Sequence, residues 1–249
     1  MISYLPGGRM GNALFQSAMM IATALRNGTE YSMPRQTSSS VWSPIYFPYL
    51  HNPKWQEGRV DMIIDEKQFH YVPLEYDKSW NDLQVVLRGY WQDQRYFKDY
   101  KDEVIAAFNL PWNHKPDICS IHARYGDYLT IPGKHIIIDD DYLKNAIDLI
   151  QDKTGIKRFK VFSDDINLFK NRHGSLYPFE YSTNDNEVDD LIEISCCASH
   201  INSSSTFSWW GAYLNKNPDK IIVTQRDWFR MGWDGADTSG IIPSEWIKI

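Results

Sequence analysis

From residue 113 onward, short apolar runs alternate with stretches of helical period, and no other feature of this 249-residue chain restricts its fold as tightly. Ile118 to Ile121 reads as a buried strand. Behind it the sequence predicts a helix capped at Asp139-Asp140-Asp141, with Leu143, Ile147 and Ile150 as its buried stripe and Gly155 as its stop. Arg158 to Phe162 predicts a second strand, ending at Ser163-Asp164-Asp165, and a loop through Pro178 leads to a helix over Val188 to Cys197. Ile201-Asn202 predicts the end of a third strand. Ser203-Ser204-Ser205-Thr206 follows, a helix opens near Phe207, and Ile221 to Thr224 makes a last strand. Strands separated by helices build a mainly parallel sheet covered on both faces, so the class is α/β.

The first half carries a second such signal. Ile2 to Leu5 predicts a short strand ending at Pro6-Gly7-Gly8, followed by Arg9-Met10-Gly11-Asn12. Leu14, Ala18, Ile21 and Leu25 then recur at helical spacing until Asn27-Gly28 stops the helix. A strand, a glycine turn and a helix in that order aim backbone N–H groups and the positive end of the helix dipole at an anion. Arg9 and Asn12 lie at that mouth. In isolation a tight turn with a solvated arginine explains the same residues, because glycine pairs before helices are common. Pro34 to Pro53 reads as a long loop, a kind often functional in compact domains. Met62 to Ile64 and Gln84 to Leu87 are further strands, the second leading to Gly89-Tyr90-Trp91-Gln92, with a helix over Asp99 to Phe108. Leu110-Pro111-Trp112 with Pro116 marks a linker, which divides the chain into 1–112 and 113–249.

Composition excludes several classes. A net charge of −6 argues against a nucleic-acid surface, which favours a clustered basic face. Three cysteines, two of them adjacent, make no disulfide framework and fit a reducing compartment. The N-terminus has no basic-then-apolar leader pattern, and no stretch approaches the ~20 apolar residues that span a bilayer. No HExxH or Cys/His spacing points to a metal. The expectation is a soluble cytoplasmic protein without a transmembrane segment or structural metal; peripheral membrane association and oligomeric state are left open. Aromatic residues reach 14%, with ten Trp, which suits core packing and the stacking of pyranose rings equally.

Three strand ends of the second half carry polar clusters: His122 with Arg124, Asp164 with Asp165, and Ser203 to Ser208. In a parallel sheet all three emerge at one edge, where ligands of open α/β sheets bind. Arginine grips a diphosphate through forked donors, a carboxylate accepts from guanine, and a Ser/Thr run at a helix N-terminus offers hydroxyl and N–H groups to phosphate. Each cluster has a plainer use as well: an ion pair for Arg124, a turn for Asp164-Asp165, an N-cap for Ser205 or Thr206. A divalent cation at Asp164-Asp165 lacks a third carboxylate at recognisable spacing.

Taken in order, these stretches resemble the α-1,2-fucosyltransferases of glycosyltransferase family eleven from end to end. The resemblance lies in Gly8-Arg9-Met10-Gly11-Asn12, Gly89-Tyr90-Trp91-Gln92, His122-Ala123-Arg124-Tyr125-Gly126-Asp127-Tyr128, Phe162-Ser163-Asp164-Asp165, Thr206-Phe207-Ser208-Trp209-Trp210-Gly211-Ala212 and Ile241-Ile242-Pro243-Ser244-Glu245-Trp246. It implies a GT-B-like α/β fold of two Rossmann-like lobes with a nucleotide-sugar cleft between them. It also implies an inverting, metal-independent galactoside 2-α-L-fucosyltransferase of the hexosyltransferase class, active in glycan biosynthesis. GDP-fucose is then the donor, the 2-hydroxyl of a terminal galactoside the acceptor, and no cofactor is needed. Residues 1–112 become the acceptor side and 113–249 the donor-binding lobe. By the same resemblance Arg124 holds the β-phosphate of the leaving GDP. Arg9, Gly11, Asn12, His122, Asp164, Asp165, Thr206, Phe207 and Ser208 contact the donor, and Asp127 is the motif carboxylate available as general base. Two positions depart from the family pattern: Tyr125 stands where a second arginine is usual, and Ala13 where glutamine is common. Other readings are a related transferase with another nucleotide sugar or linkage, and a glycan-binding protein without turnover. A dinucleotide oxidoreductase ranks below both, for want of GxGxxG with an acidic residue about 20 positions on.

Overall fold

The computed structural model describes residues 1–34, 47–50, 53–56, 58–67, 69–131, 133–230 and 237–249. Of the loop expected over Pro34 to Pro53, positions 35–46, 51 and 52 lie outside the described residues. The chain divides into two compact units, Met1–Leu110 with Ala236–Ile242, and Pro111–Gly235 with Pro243–Ile249.

In the first unit, β1 (Ile2–Tyr4), β2 (Met62–Asp65) and β3 (Val85–Arg88) form a parallel sheet in the order β1-β3-β2. Between β1 and β2 runs α1 (Met10–Asn27), ended by Gly28 at φ 64°, where the left-handed backbone lets its N–H reach back to the carbonyls of Ala24 and Leu25. The expected apolar stripe is wider than its spacing indicated. Every α1 residue from Ala13 to Ala24 is buried, and Leu25, expected inside, is 40% exposed. α1 is thus buried on all sides as a core helix, with Ala18, Ala22 and Ala24 keeping it slim enough to pack closely and its polar Gln16, Ser17 and Thr23 paired inside. A second helix, α2 (Lys101–Phe108), follows a 3-10 turn at Lys98–Tyr100 and buries Val104 and Phe108.

Among the described residues the second unit holds six parallel strands. In chain order its elements are β4 (Lys115–Ala123), α3 (Gly126–Thr130), α4 (Asp140–Thr154), β5 (Arg158–Ser163), α5 (Ile166–His173), β6 (Glu180–Tyr181), α6 (Glu187–Cys196), β7 (Cys197–Asn202), α7 (Thr206–Tyr213), β8 (Ile222–Thr224) and β9 (Ile247–Lys248). The sheet order is β6-β5-β4-β7-β8-β9. From β4 the chain builds outward to β6, then crosses back and builds outward again from β7. The order therefore reverses between β4 and β7.

Five elements differ from expectation, among them α3, which forms inside the loop expected between β4 and α4. The loop between β5 and α6 contains α5 and β6, and the C-terminus supplies β9. β7 begins at Cys197 directly behind α6, with no loop between them.

The two faces of β4 and β7 are chemically distinct, as strand alternation requires. Cys119, Ile121 and Ala123 join Ile201, Val223 and the α4 residues Leu143, Ala146 and Ile150 in one buried cluster. Each fully buried Leu or Ile there contributes roughly 1.5–3 kcal/mol. The other face carries Ser120, His122 and His200, all buried. His200 Nδ1 lies 2.8 Å from Ser120 Oγ, and its Nε2 lies 2.7 Å from Asn215 Nδ2, which also donates to the Cys197 carbonyl. An amide NH2 only donates, so His200 accepts at Nε2 and donates from Nδ1. Among the described residues no helix is long and apolar enough to cross a membrane. Cys119, Cys196 and Cys197 are buried free thiols.

Candidate functional site

Because all six strands of the second unit are parallel, their carboxyl ends share one edge, and the order places the ends of β5, β4 and β7 side by side. The three clusters expected from the sequence meet there. Ligands of open α/β sheets collect at such a point of reversed strand order.

β4 and β7 are laced together at that point. The Ser203 N–H donates to the His122 carbonyl at 3.2 Å, and His122 Nδ1 lies 2.9 Å from Ser203 Oγ. The Phe207 ring packs against the imidazole, with centroids 5.2 Å apart. Burial, and then the charge of Arg124, pushes His122 down to about 3. It is a neutral hydrogen-bonding group at physiological pH, not a charge.

Arg124 stands one residue beyond β4, its side chain 13% exposed. Its Nε and one terminal nitrogen donate to Asp127 Oδ1, and its Nη1 lies 3.0 Å from Asp164 Oδ2. Asp164 Oδ1 also accepts from the Tyr125 N–H at 2.9 Å. Asp164 thus ties the end of β5 to the turn after β4 and fixes the guanidinium from behind. Asp165, expected beside it, caps α5 by accepting from the Leu168 N–H at 2.8 Å. Tyr125 points the opposite way from Arg124. It is fully buried in the core cluster, with the Arg172 guanidinium 5.7 Å from its ring centroid. The residue standing at the family's second arginine therefore packs in the core and adds no group beside Arg124.

The serine-rich turn is built the same way. Ser205 caps α7 by accepting from the Phe207 N–H at 3.3 Å. Ser204 donates to Gln225 Oε1 and to the Asp227 carbonyl, which anchors the turn to the chain beyond β8. The Ser208 hydroxyl is wholly buried and donates inward to the Ser203 and Ser205 carbonyls, each 3.0 Å away. Thr206 and Phe207 open α7 and are half-buried.

Arg9, Gly11 and Asn12 lie in the first unit, at the carboxyl edge of its own sheet. Arg9 is exposed and N-caps α1 through its backbone, whose carbonyl accepts from the Asn12 and Ala13 N–H groups. Gly11 is buried, and Asn12 Oδ1 accepts from Gln92 Nε2 at 2.9 Å.

The sequence reading missed a supporting stack in the second unit. The Arg124 guanidinium lies 5.8 Å from the Tyr128 ring centroid, Tyr128 stacks on His135 at 3.7 Å and 7°, and His135 meets Phe229 edge-on. The Tyr128 hydroxyl donates to the Ser204 carbonyl at 2.9 Å, joining the turn after β4 to the serine turn. Burial raises Tyr128 to about 12 and lowers His135 to about 4, so both rings are neutral at pH 7. Arg124, Tyr128 and His135 lie within one short segment, but Phe229, which closes the stack, comes from more than 90 residues further on, and local period does not announce that contact.

The second unit is thus a parallel α/β sheet with an arginine and a serine-capped helix at its point of strand-order reversal. The chain belongs to glycosyl transferase family 11, whose model matches residues 4–249. It is 32% identical over 186 residues to the O-antigen biosynthesis glycosyltransferase WbnK of Escherichia coli, covering 66% of this chain and 60% of that protein. It is 26% identical over 196 residues to an alpha-1,2-colitosyltransferase of Escherichia coli, covering 70% and 67%. It is 25% identical over 239 residues to the galactoside alpha-(1,2)-fucosyltransferase 2 of Bos taurus, covering 83% and 67%. The match thus spans about 60% to two thirds of these relatives' length. Among solved structures, POFUT1 in complex with GDP-fucose has a similar fold, with a TM-score of 0.52 and 12% identity, covering 90% of this chain and 97% of that one.

Proposed function

We propose that this protein is an inverting galactoside α-1,2-fucosyltransferase that moves fucose from GDP-fucose to the 2-hydroxyl of a terminal galactoside. The observation that carries the reading is Arg124, held at the strand-order reversal by Asp127 and Asp164 beside the capped start of α7. The galactoside alpha-(1,2)-fucosyltransferase relative supplies the sugar and the linkage, and the alpha-1,2-colitosyltransferase relative supports the same linkage. As the anomeric C–O bond breaks, negative charge grows on the departing diphosphate. A guanidinium already oriented by carboxylates pays no reorganisation cost at that moment, which is where electrostatic catalysis gains most. In this reading Asp127 and Asp164 both keep their hold, and the second N–H of each terminal nitrogen of Arg124 meets the β-phosphate.

His122, neutral and fixed by Ser203, forms the wall of the nucleotide site. Thr206 and Phe207 face the phosphates, and Ser208 acts from below by holding the turn in shape. Asp127, with its side chain 51% exposed, is the carboxylate placed to take the acceptor proton. Asp165 serves the donor through the α5 cap. The two units are the lobes of a GT-B enzyme, with Arg9, Gly11 and Asn12 contributed to the donor by the first lobe. Support for this comes from the separate parallel sheet in each unit and the likeness in fold to POFUT1. The reaction proceeds without a divalent metal or cofactor, and three free buried thiols fit a reducing cytoplasm.

The test is a donor panel of GDP-fucose, GDP-mannose, UDP-sugars and a GDP-linked colitose donor with galactoside acceptors. Fucose transfer to the galactose 2-hydroxyl is expected, and its absence refutes the proposal. Colitose transfer in its place favours the second reading, motivated by the colitosyltransferase relative. Arg124→Ala is expected to abolish transfer in a folded protein, and near-normal turnover would remove Arg124 from its role.

A further inference from the structure

The carboxyl edge of the first sheet presents an exposed aromatic ring, Tyr90. At the end of β3 the chain turns through Gly89 at φ 155° and Trp91 at φ 55°. A tryptophan in the left-handed region costs about 1–2 kcal/mol, and such strain persists only where its surroundings enforce it. Here they do. Glu66, just past β2, accepts from the Tyr90 N–H at 2.7 Å and the Trp91 N–H at 3.0 Å. Gln16 of α1 donates to the Gly89 carbonyl at 2.7 Å and accepts from the Gly7 N–H at 3.2 Å. Gln92, the next residue, donates to Asn12. A side chain at Gly89 would run into Glu66, so glycine is required there.

The result sorts two adjacent aromatics. Trp91 is 2% exposed, whereas Tyr90 is 40% exposed. An edge of the Tyr90 ring approaches the glycine turn after β1, since a Cβ on Gly7 would stand 3.8 Å from its Cε1. Leu5, at the same strand end, is 49% exposed. The edge therefore offers a part-exposed aromatic ring and an aliphatic side chain. That surface suits the C–H face of a pyranose.

We propose that Tyr90 is the stacking platform for the acceptor sugar and that Glu66 is its positioning residue. This rests on the transferase reading above. The acceptor class is a pyranoside with an exposed apolar face, as a β-galactoside has. The experiment uses the full chain. Acceptor and donor KM and kcat are measured for the parent, Tyr90→Ala, Tyr90→Phe, Tyr90→Trp and Glu66→Ala, with GDP affinity by calorimetry as the check on folding.

Tyr90→Ala is expected to raise the acceptor KM about tenfold or more, as truncating an aromatic anchor does, with donor KM and GDP affinity unchanged. The Phe and Trp variants should stay near the parent, and Glu66→Ala should raise the acceptor KM without changing the donor KM. An unchanged acceptor KM in Tyr90→Ala, or a raised donor KM, overturns the assignment. If the parent transfers no sugar, the transferase reading fails by itself. The platform is then read by saturation-transfer NMR with methyl β-galactoside. Ring-proton contacts present in the parent and lost in Tyr90→Ala uphold it, and no binding to the parent overturns it.

Discussion

Removing the Asp164 carboxylate separates two roles for that residue, guanine recognition and the fixing of Arg124. The geometry favours the second, because Oδ2 is taken by Arg124 Nη1 at 3.0 Å and Oδ1 by the Tyr125 N–H at 2.9 Å. Hydrogen bonds to charged groups are worth about 1.5–3 kcal/mol each. The Asp164 side chain is 23% exposed, and Asp127 still pairs Arg124 when Asp164 is gone, so the lower end applies. Asp164→Ala should therefore cost about 2 kcal/mol, once water has partly replaced the lost partners. Asp164→Asn keeps an acceptor for the Tyr125 N–H and should cost about 1 kcal/mol. For a chain of this size 1 kcal/mol shifts Tm by about 2–4 °C, so the expected losses are about 4–8 °C and about 2–4 °C. Thermal unfolding checks the pair. Titration with GDP, GMP and ADP then divides the roles. A residue that positions Arg124 costs affinity for GDP and ADP alike, and less for the monophosphate; a guanine reader erases the preference for GDP over ADP. An Asp164→Ala protein as stable as the parent, or a selective loss of guanine preference, refutes the argument.

Three further outcomes follow from the same geometry. His122 and His200 are each pushed down to about 3, mainly by burial. With folded values below the ordinary 6.5, the unfolded chain binds protons first, so stability falls as pH drops from about 6.5 toward 3. Urea midpoints across that window should decline, while imidazole nitrogen NMR shows both rings neutral at pH 5; either ring charged at pH 5 contradicts the burial argument. Gly211→Ala puts a Cβ into Ile194 of α6, so it should destabilise by about 1–3 kcal/mol despite better helix propensity. Ile194→Ala in the same chain should recover part of the loss, and a stabilised single variant would count against the packing. Transfer activity should survive EDTA in full, and loss restored by a divalent ion would end the metal-independent reading.

Much of the site was legible because its residues sit at strand ends, where a short apolar run stops at charged or hydroxyl residues. His122, Arg124, Asp164 and Ser203 to Ser208 were all found that way, and the edge they share follows from parallel pairing alone. What each side chain does there was not legible. Ser208 resembles a phosphate ligand in sequence, yet its hydroxyl is spent on two buried carbonyls. The sequence predicts a loop through Pro178 where α5 forms, because an eight-residue helix shows little period; Asp165 is its N-cap and Phe169 its buried anchor. β9 has two residues, too few for a period, and exists because it pairs with β8.

By itself the sequence determined the α/β class, the parallel direction of the second sheet and the strand ends that carry polar groups. Those depend on local period, caps and turn residues, which act within a few positions of the chain. Only the tertiary structure decided that Arg124 is gripped by two carboxylates, that Tyr125 turns into the core, and that Tyr90 stays out while Trp91 goes in. Each depends on partners far along the chain, such as Asp164 for Arg124 and Glu66 for Tyr90, and burial and pairing are settled only when those segments meet.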